Sequence, residues 1–124
     1  MRQLTSGLLI FTLLLSGCAA RIHPGAANSF DSTTYDTLIV THNVIESTKA
    51  DLAAGKFTGT LAVNVKMALN RLIQAYDVAD TGYLAYHAAA AAGNATPTDQ
   101  GALQVKVNDM TNATTTLTSA KGGM

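Results

Sequence analysis

Three histidines, His23, His42 and His87, are the residues of this chain whose chemistry first suggests a metal site. In an antiparallel helical hairpin, His42 and His87 fall about two heptads apart, on the order of 20 Å at 1.5 Å per residue. That separation is too large for the two imidazoles to share an ion. His23 can approach His87, but two histidines without a nearby carboxylate or thiolate make a weak site. We therefore expect neither a metal nor another cofactor, and we expect His42 to be partly buried with a hydrogen-bond partner.

The tyrosines offer a second kind of chemistry, because aromatic rings that converge can stack on a ligand. The candidates for a ligand-binding slot are Tyr35, Tyr76, Tyr83 and Tyr86, together with His42. The alternative is that these rings fill an otherwise alanine-rich core and keep their hydroxyl groups at its rim. We favour this second interpretation.

Two carboxylates, Asp77 and Asp80, lie one helical turn apart, which is a suitable separation for a carboxylate pair. Both fall outside the predicted core face, and no nucleophile or base accompanies them. The sequence also has no glycine-rich phosphate loop and no Ser-His-Asp arrangement that its spacing supports. We therefore expect no enzymatic activity.

The single cysteine, Cys18, follows a segment typical of secretion signals. Because the chain has one cysteine, it cannot form an intramolecular disulfide. Arg2 supplies a short positive start, and residues 8–15 form an apolar stretch that is too short to span a bilayer. The residues Leu15-Ser16-Gly17-Cys18 resemble the lipobox of bacterial lipoproteins, in which a branched apolar residue and two small residues precede cysteine.

This resemblance implies that residues 1–17 are a signal peptide that is removed, and that Cys18 is the lipidation site. In that family the thiol receives a diacylglycerol and the new amino group is often acylated, for example with palmitate. Two or three acyl chains anchor a protein stably, whereas one chain anchors it only marginally. Ala19 in place of aspartate implies the outer membrane rather than retention in the inner membrane. The membrane is therefore the first expected partner, with the protein facing the periplasm.

The charge of the chain argues against binding to nucleic acid. Eight basic residues balance eight acidic ones, and removal of Arg2 with the signal peptide leaves a net charge of minus one. The basic residues are scattered, whereas a nucleic-acid surface needs them clustered. We expect no nucleic-acid partner.

Three helical segments follow a small-residue tether that we assign to residues 18–30. The first, about 31–54, is predicted to begin with Asp31 as N-cap, with a staple between Phe30 and Tyr35, and to stop at Gly55. Its predicted core stripe consists of Tyr35, Leu38, Ile39, His42, Ile45, Lys49 and Leu52.

The second helix, about 60–92, has the clearest periodicity in the chain, with Thr58 or Thr60 as its cap. Its predicted seam is Ala62, Val65, Leu69, Leu72, Tyr76, Ala79, Tyr83, Tyr86 and Ala90. The third helix, about 97–120, begins with Thr96 as N-cap, Pro97 at the first position and Asp99 completing a box-like cap. Its predicted core residues are Leu103, Val107, Met110, Thr114 and Leu117.

These segments predict an all-α fold, an antiparallel three-helix up-down-up bundle over residues 31–121. A lipid anchor, an alanine-rich seam and a weakly charged surface favour a structural or protein-interaction role in the cell envelope. The expected partner is an envelope protein or a second copy of this chain. The alternative is a periplasm-facing binding module for a small ligand or a cell-wall fragment, which would use the tyrosines and His42.

Overall fold

The computed structural model describes residues 25–122, and these form a three-helix bundle in which no strand is present. The helices are α1 (Ser29–Ala53), α2 (Gly59–Ala91) and α3 (Pro97–Lys121). The all-α bundle predicted from the periodicity is confirmed. The predicted signal peptide, Cys18, His23 and the first part of the tether lie outside the described residues.

The start of α1 differs from the prediction, because Asn28 rather than Asp31 is the N-cap. The Asn28 side chain accepts a hydrogen bond from the backbone N–H of Asp31 at 2.8 Å. Ser29 and Phe30, which we assigned to the tether, are therefore the first helical residues, and the predicted staple between Phe30 and Tyr35 is wrong. Asp31 instead occupies the third helical position, where the positive end of the helix dipole stabilises its carboxylate.

The buried face of α1 is rotated relative to the predicted stripe. Leu38 and Ile45 are buried as expected, but His42 and Lys49 are exposed. Their place in the core is taken by three threonines at intervals of seven residues, and all three are buried: Thr34, Thr41 and Thr48. Each threonine hydroxyl donates to the carbonyl four residues earlier. The polar group is thereby satisfied within the helix, and the methyl group is left to pack.

The predicted seam of α2 is confirmed. Six of its nine members are buried and the other three, Ala62, Tyr76 and Ala90, pack against the same core. Glycine ends both α1 and α2: Gly55 and Gly93 have φ values of 74° and 75°, which are accessible to glycine at little cost. The backbone N–H groups that follow return to Asp51 and Ala89, which completes a Schellman motif at each end.

The predicted capping box of α3 is present in full. The Thr96 side chain accepts from the backbone N–H of Asp99 at 3.1 Å, and the Asp99 carboxylate accepts from the backbone N–H of Thr96 at 2.9 Å. Thr58 occupies the same position at the start of α2, but its side chain makes no capping hydrogen bond. The two threonines therefore form a matched pair.

We expect Thr96→Ala to lower the free energy of unfolding by about 1 kcal/mol, because it leaves helix N–H groups without an acceptor. Thr58→Ala removes no such bond and should change stability by only a few tenths of a kcal/mol in comparison. Urea unfolding followed by circular dichroism measures both. Equal losses in the two variants would contradict the assignment.

Contacts between side chains on different helices show that the helices run in up-down-up order. The partners Asp31–His87, Tyr35–Tyr83 and His42–Tyr76 rise along α1 as they fall along α2, so the two helices are antiparallel. At the other end, the Lys121 ammonium donates to the Thr48 hydroxyl at 3.3 Å. The start of α1 and the α2–α3 connection therefore share one end, as predicted, and the ends of α1 and α3 share the other.

Helix α2 is the central helix, because α1 and α3 contact it more extensively than they contact each other. Its fully buried residues Val65, Leu72 and Ala79 lie against Met110 and Leu117 of α3 in one core cluster. Within residues 25–122, no helix combines the length and the apolar character that a membrane crossing requires.

Candidate functional site

A buried carboxylate lies where the chain enters the bundle. The side chain of Asp31 is 0% exposed, and its Oδ2 atom accepts from the backbone N–H of Ala27 at 2.7 Å. The same oxygen lies 2.7 Å from Nδ1 of His87, whose side chain is 35% exposed. The first described residues are thus joined to the end of α2 through one carboxylate.

Asp31 fixes the orientation of the His87 imidazole. A carboxylate oxygen at this distance accepts a hydrogen bond from Nδ1 in the tautomer that carries a proton there. The Tyr83 ring lies 5.7 Å from the imidazole, centroid to centroid, and closes one side of the site. The other Asp31 oxygen, Oδ1, is buried and has no hydrogen-bond partner of regular geometry. A carboxylate with one unsatisfied oxygen depends strongly on the partners that it does have.

Burial and the Asp31 carboxylate both raise the pKa of the Tyr83 phenol. Burial of the phenol first, and then the charge of Asp31 and a hydrogen bond to it, raise the pKa of Tyr83 from 10.0 to about 12. Tyr35 and Asp80 raise the same pKa further.

The raised pKa predicts a loss of stability at alkaline pH. The folded protein holds the phenol proton more tightly than the unfolded chain, so this contribution is complete below pH 10 and is lost as the pH rises to about 12. A shift of this size corresponds to at most about 2.7 kcal/mol. Urea unfolding between pH 8 and pH 12 should show a shallower decline for Tyr83→Phe than for the unchanged protein. Identical slopes would contradict the prediction.

The pairing of Asp31 with His87 is not among the predictions made from the sequence, in which Asp31 is a helix cap. The expectation that His87 lacks a nearby carboxylate is wrong. The signal was available in the antiparallel register, which places His87 opposite residues 27–30, one residue short of the carboxylate. Within residues 25–122, no three His, Cys, Asp or Glu side chains are grouped so that they could hold a metal ion.

The five residues of the predicted ligand slot do not form one pocket. Tyr35 contacts Tyr83 at a centroid distance of 6.2 Å, and His42 contacts Tyr76 at 5.9 Å, on one edge between α1 and α2. Tyr86 lies apart from them. It packs edge-on against Phe30 at 5.2 Å, and its hydroxyl accepts from the Asn28 side chain at 3.1 Å.

Their burial agrees only in part with a core-filling role. Tyr83 and Tyr86 are buried, Tyr76 is half-buried, and Tyr35 is 41% exposed. His42, which we expected to be partly buried, is exposed. The reason is the rotation of α1, which turns Tyr35 and His42 to the edge while threonines enter the core.

Asp77 and Asp80 lie on the same side of α2 as these rings. Asp77 is exposed and Asp80 is half-buried. Burial, and then the charges of Asp80 and Asp77, raise the pKa of Tyr76. The two carboxylates therefore lie beside the phenol and make this edge electronegative.

Two open depressions mark the described surface. One of about 270 Å³ lies at the end where α1 and α3 begin, between Asn28, Tyr86 and Thr96. The other, of about 310 Å³, is a groove between α2 and α3 that is bordered by Arg71, Lys106 and Asp109. Neither depression contains the Asp31–His87 pair or the aromatic pairs.

Comparison with protein-family models, with curated proteins and with solved structures finds no match for this chain.

Proposed function

We propose that this chain is a lipid-anchored cell-envelope protein with a structural or protein-interaction role and no catalytic activity. The proposed anchor is lipid on Cys18, and the proposed location is the outer membrane, facing the periplasm. The lipobox-like residues Leu15-Ser16-Gly17-Cys18 support the anchor. Because Ala27 is bonded to Asp31, the chain from Cys18 to the bundle reaches at most roughly 32 Å when extended. This length sets an upper limit on how far the bundle can stand from the lipid headgroups.

The observation that carries the interaction role is the amount of large apolar surface left outside the core. Among residues 25–122, eight large hydrophobic side chains are exposed, and they occur on all three helices. Single exposed residues are ordinary, but adjoining ones often mark an interaction site. Tyr35 and Ile39 lie one turn apart on α1, with exposed fractions of 41% and 46%.

Metabolic labelling with an alkyne-bearing palmitate analogue, followed by membrane fractionation, tests the anchor. We expect the full-length protein to incorporate the label and to sediment with the outer membrane. Cys18→Ser should abolish both the labelling and the sedimentation, because two or more acyl chains supply the stable attachment. A Cys18→Ser variant that is processed and fractionates unchanged would overturn the proposal.

A second candidate is a binding module for a small ligand or a cell-wall fragment. The pairs Tyr35–Tyr83 and His42–Tyr76 favour it, because neighbouring rings offer stacking surfaces. Soluble muropeptides should then raise the melting temperature of the full-length protein in nonionic detergent, and Tyr76→Ala should remove the effect. Absence of any shift would reject this candidate.

A further inference from the structure

The edge between α1 and α2 carries two aromatic pairs in register. Tyr35 and His42 are seven residues apart on α1, and their partners Tyr83 and Tyr76 are seven residues apart on α2. Seven residues of helix correspond to about 10 Å. Ile39 and Asp80 occupy the positions between the two pairs. We call this surface, Tyr35, Ile39 and His42 with Tyr76, Asp77, Asp80, Tyr83 and Leu84, the aromatic–acidic edge.

The aromatic–acidic edge exposes apolar groups along its length. Tyr35 and Ile39 are 41% and 46% exposed on α1, and Leu84 is 59% exposed on α2. Leu84 follows Asp77 and Asp80 by seven and four residues, so these three side chains share one helix face. The surface therefore combines aliphatic groups, aromatic rings and carboxylates.

The two carboxylates of this edge, Asp77 and Asp80, make its charge negative. Asp80 follows Tyr76 by four residues and precedes Tyr83 by three, so it lies between the two aromatic pairs on one side of α2. Its charge raises the pKa of both phenols. The helical segments that form the edge, residues 29–48 and 72–91, contain no lysine or arginine. Asp77 and Asp80 thus have no basic side chain from either segment to neutralise them.

We propose that the aromatic–acidic edge binds a lysine- or arginine-bearing segment of a partner polypeptide. This inference rests on the interaction role proposed above and specifies its surface. Basic side chains fit all three properties of the edge. Their charged ends pair with Asp77 and Asp80, their aliphatic stems pack on Ile39 and Leu84, and cations are attracted to the faces of tyrosine rings. A second copy docked by the same edge would oppose like charges.

Site-specific photocrosslinking in intact cells tests this proposal with the full-length chain. The photoreactive residue benzoylphenylalanine replaces Ile39, and in a matched control it replaces Val63. Val63 is 55% exposed and lies two residues from the fully buried Val65, so it points away from the core. We expect a discrete protein adduct from position 39 only, and mass spectrometry should locate it in a peptide rich in lysine or arginine.

Charge reversal supplies the decisive comparison. The double change Asp77→Lys and Asp80→Lys should reduce the yield of the adduct about tenfold, because like charges at an interface repel. Asp109→Lys, on α3, should leave the yield unchanged, and circular dichroism verifies that each variant remains helical. If the lysine pair does not fold, the neutral pair Asp77→Asn and Asp80→Asn should still lower the yield.

Several outcomes would overturn the proposal. These are an adduct that survives charge reversal, an equal adduct from position 63, no adduct from position 39, or an adduct with glycan, lipid or a second copy. Each is separable from the fate of the proposed function. Palmitate labelling and fractionation report the anchor independently of the aromatic–acidic edge.

Discussion

His87→Ala is expected to lower the free energy of unfolding by about 3 kcal/mol. Removal of the imidazole deprives the Asp31 carboxylate, which is 0% exposed, of the partner that lies 2.7 Å from its Oδ2 atom. Leaving a buried acceptor without its hydrogen-bond partner costs about 1–3 kcal/mol, and more when the acceptor is a carboxylate. The His87 side chain is 35% exposed, so water can partly replace the imidazole, which limits the expected loss to about 3 kcal/mol. Urea unfolding of the full-length protein at pH 7 measures the loss.

The reciprocal change gives an internal control. Asp31→Ala should cost less, about 1–2 kcal/mol, since the imidazole that remains is partly exposed and can be hydrated. The double variant should be no less stable than His87→Ala alone, because it contains no buried carboxylate. A double-mutant cycle with no coupling between the two positions would show that the pair contributes nothing to stability.

Leu72→Ala is expected to lower the free energy of unfolding by about 2–5 kcal/mol. Leu72 is 0% exposed at the middle of the central helix, and it belongs to the core cluster that contains Val65 and Met110. The change removes buried methyl and methylene groups and leaves a cavity that the surrounding side chains fill only in part. Chemical unfolding monitored by circular dichroism provides the measurement.

Leu84→Ala is the matched control, because the same atoms are removed from the same helix at a side chain that is 59% exposed. It should change stability by less than about 0.5 kcal/mol. If the two variants lost equal stability, the placement of Leu72 in the core and of Leu84 at the surface would be contradicted.

The parts of the fold that the sequence predicts well are those governed by nearby residues. The capping box at Thr96 joins groups three residues apart, and both of its hydrogen bonds are present. Gly55 and Gly93 end their helices by a local backbone conformation. The seam of α2 is equally clear, because large and small apolar side chains repeat at helical spacing and the helix packs on both sides.

The buried face of α1 illustrates where a pattern of hydrophobic residues is insufficient. That pattern favours Tyr35, Ile39 and His42 as core residues. Threonine carries a hydroxyl group and is therefore counted as a polar residue. In the bundle, Thr41 and Thr48 satisfy their hydroxyl groups within the helix and present methyl groups to the core. The outward rotation of the aromatic residues creates the aromatic–acidic edge, which periodicity does not predict.

Local sequence patterns predict the helical class, the capping box of α3, the glycine ends of α1 and α2 and the seam of α2, and they lead us to expect a lipidated Cys18. Each of these depends on residues within a few turns of one another. Packing of the helices against one another brings Asp31 to His87 across 56 residues of chain, and it places Tyr35 and His42 along an edge beside Asp80. The face of a helix that becomes buried depends on the elements that pack against it. A carboxylate can be buried only where another part of the chain supplies a hydrogen-bond partner.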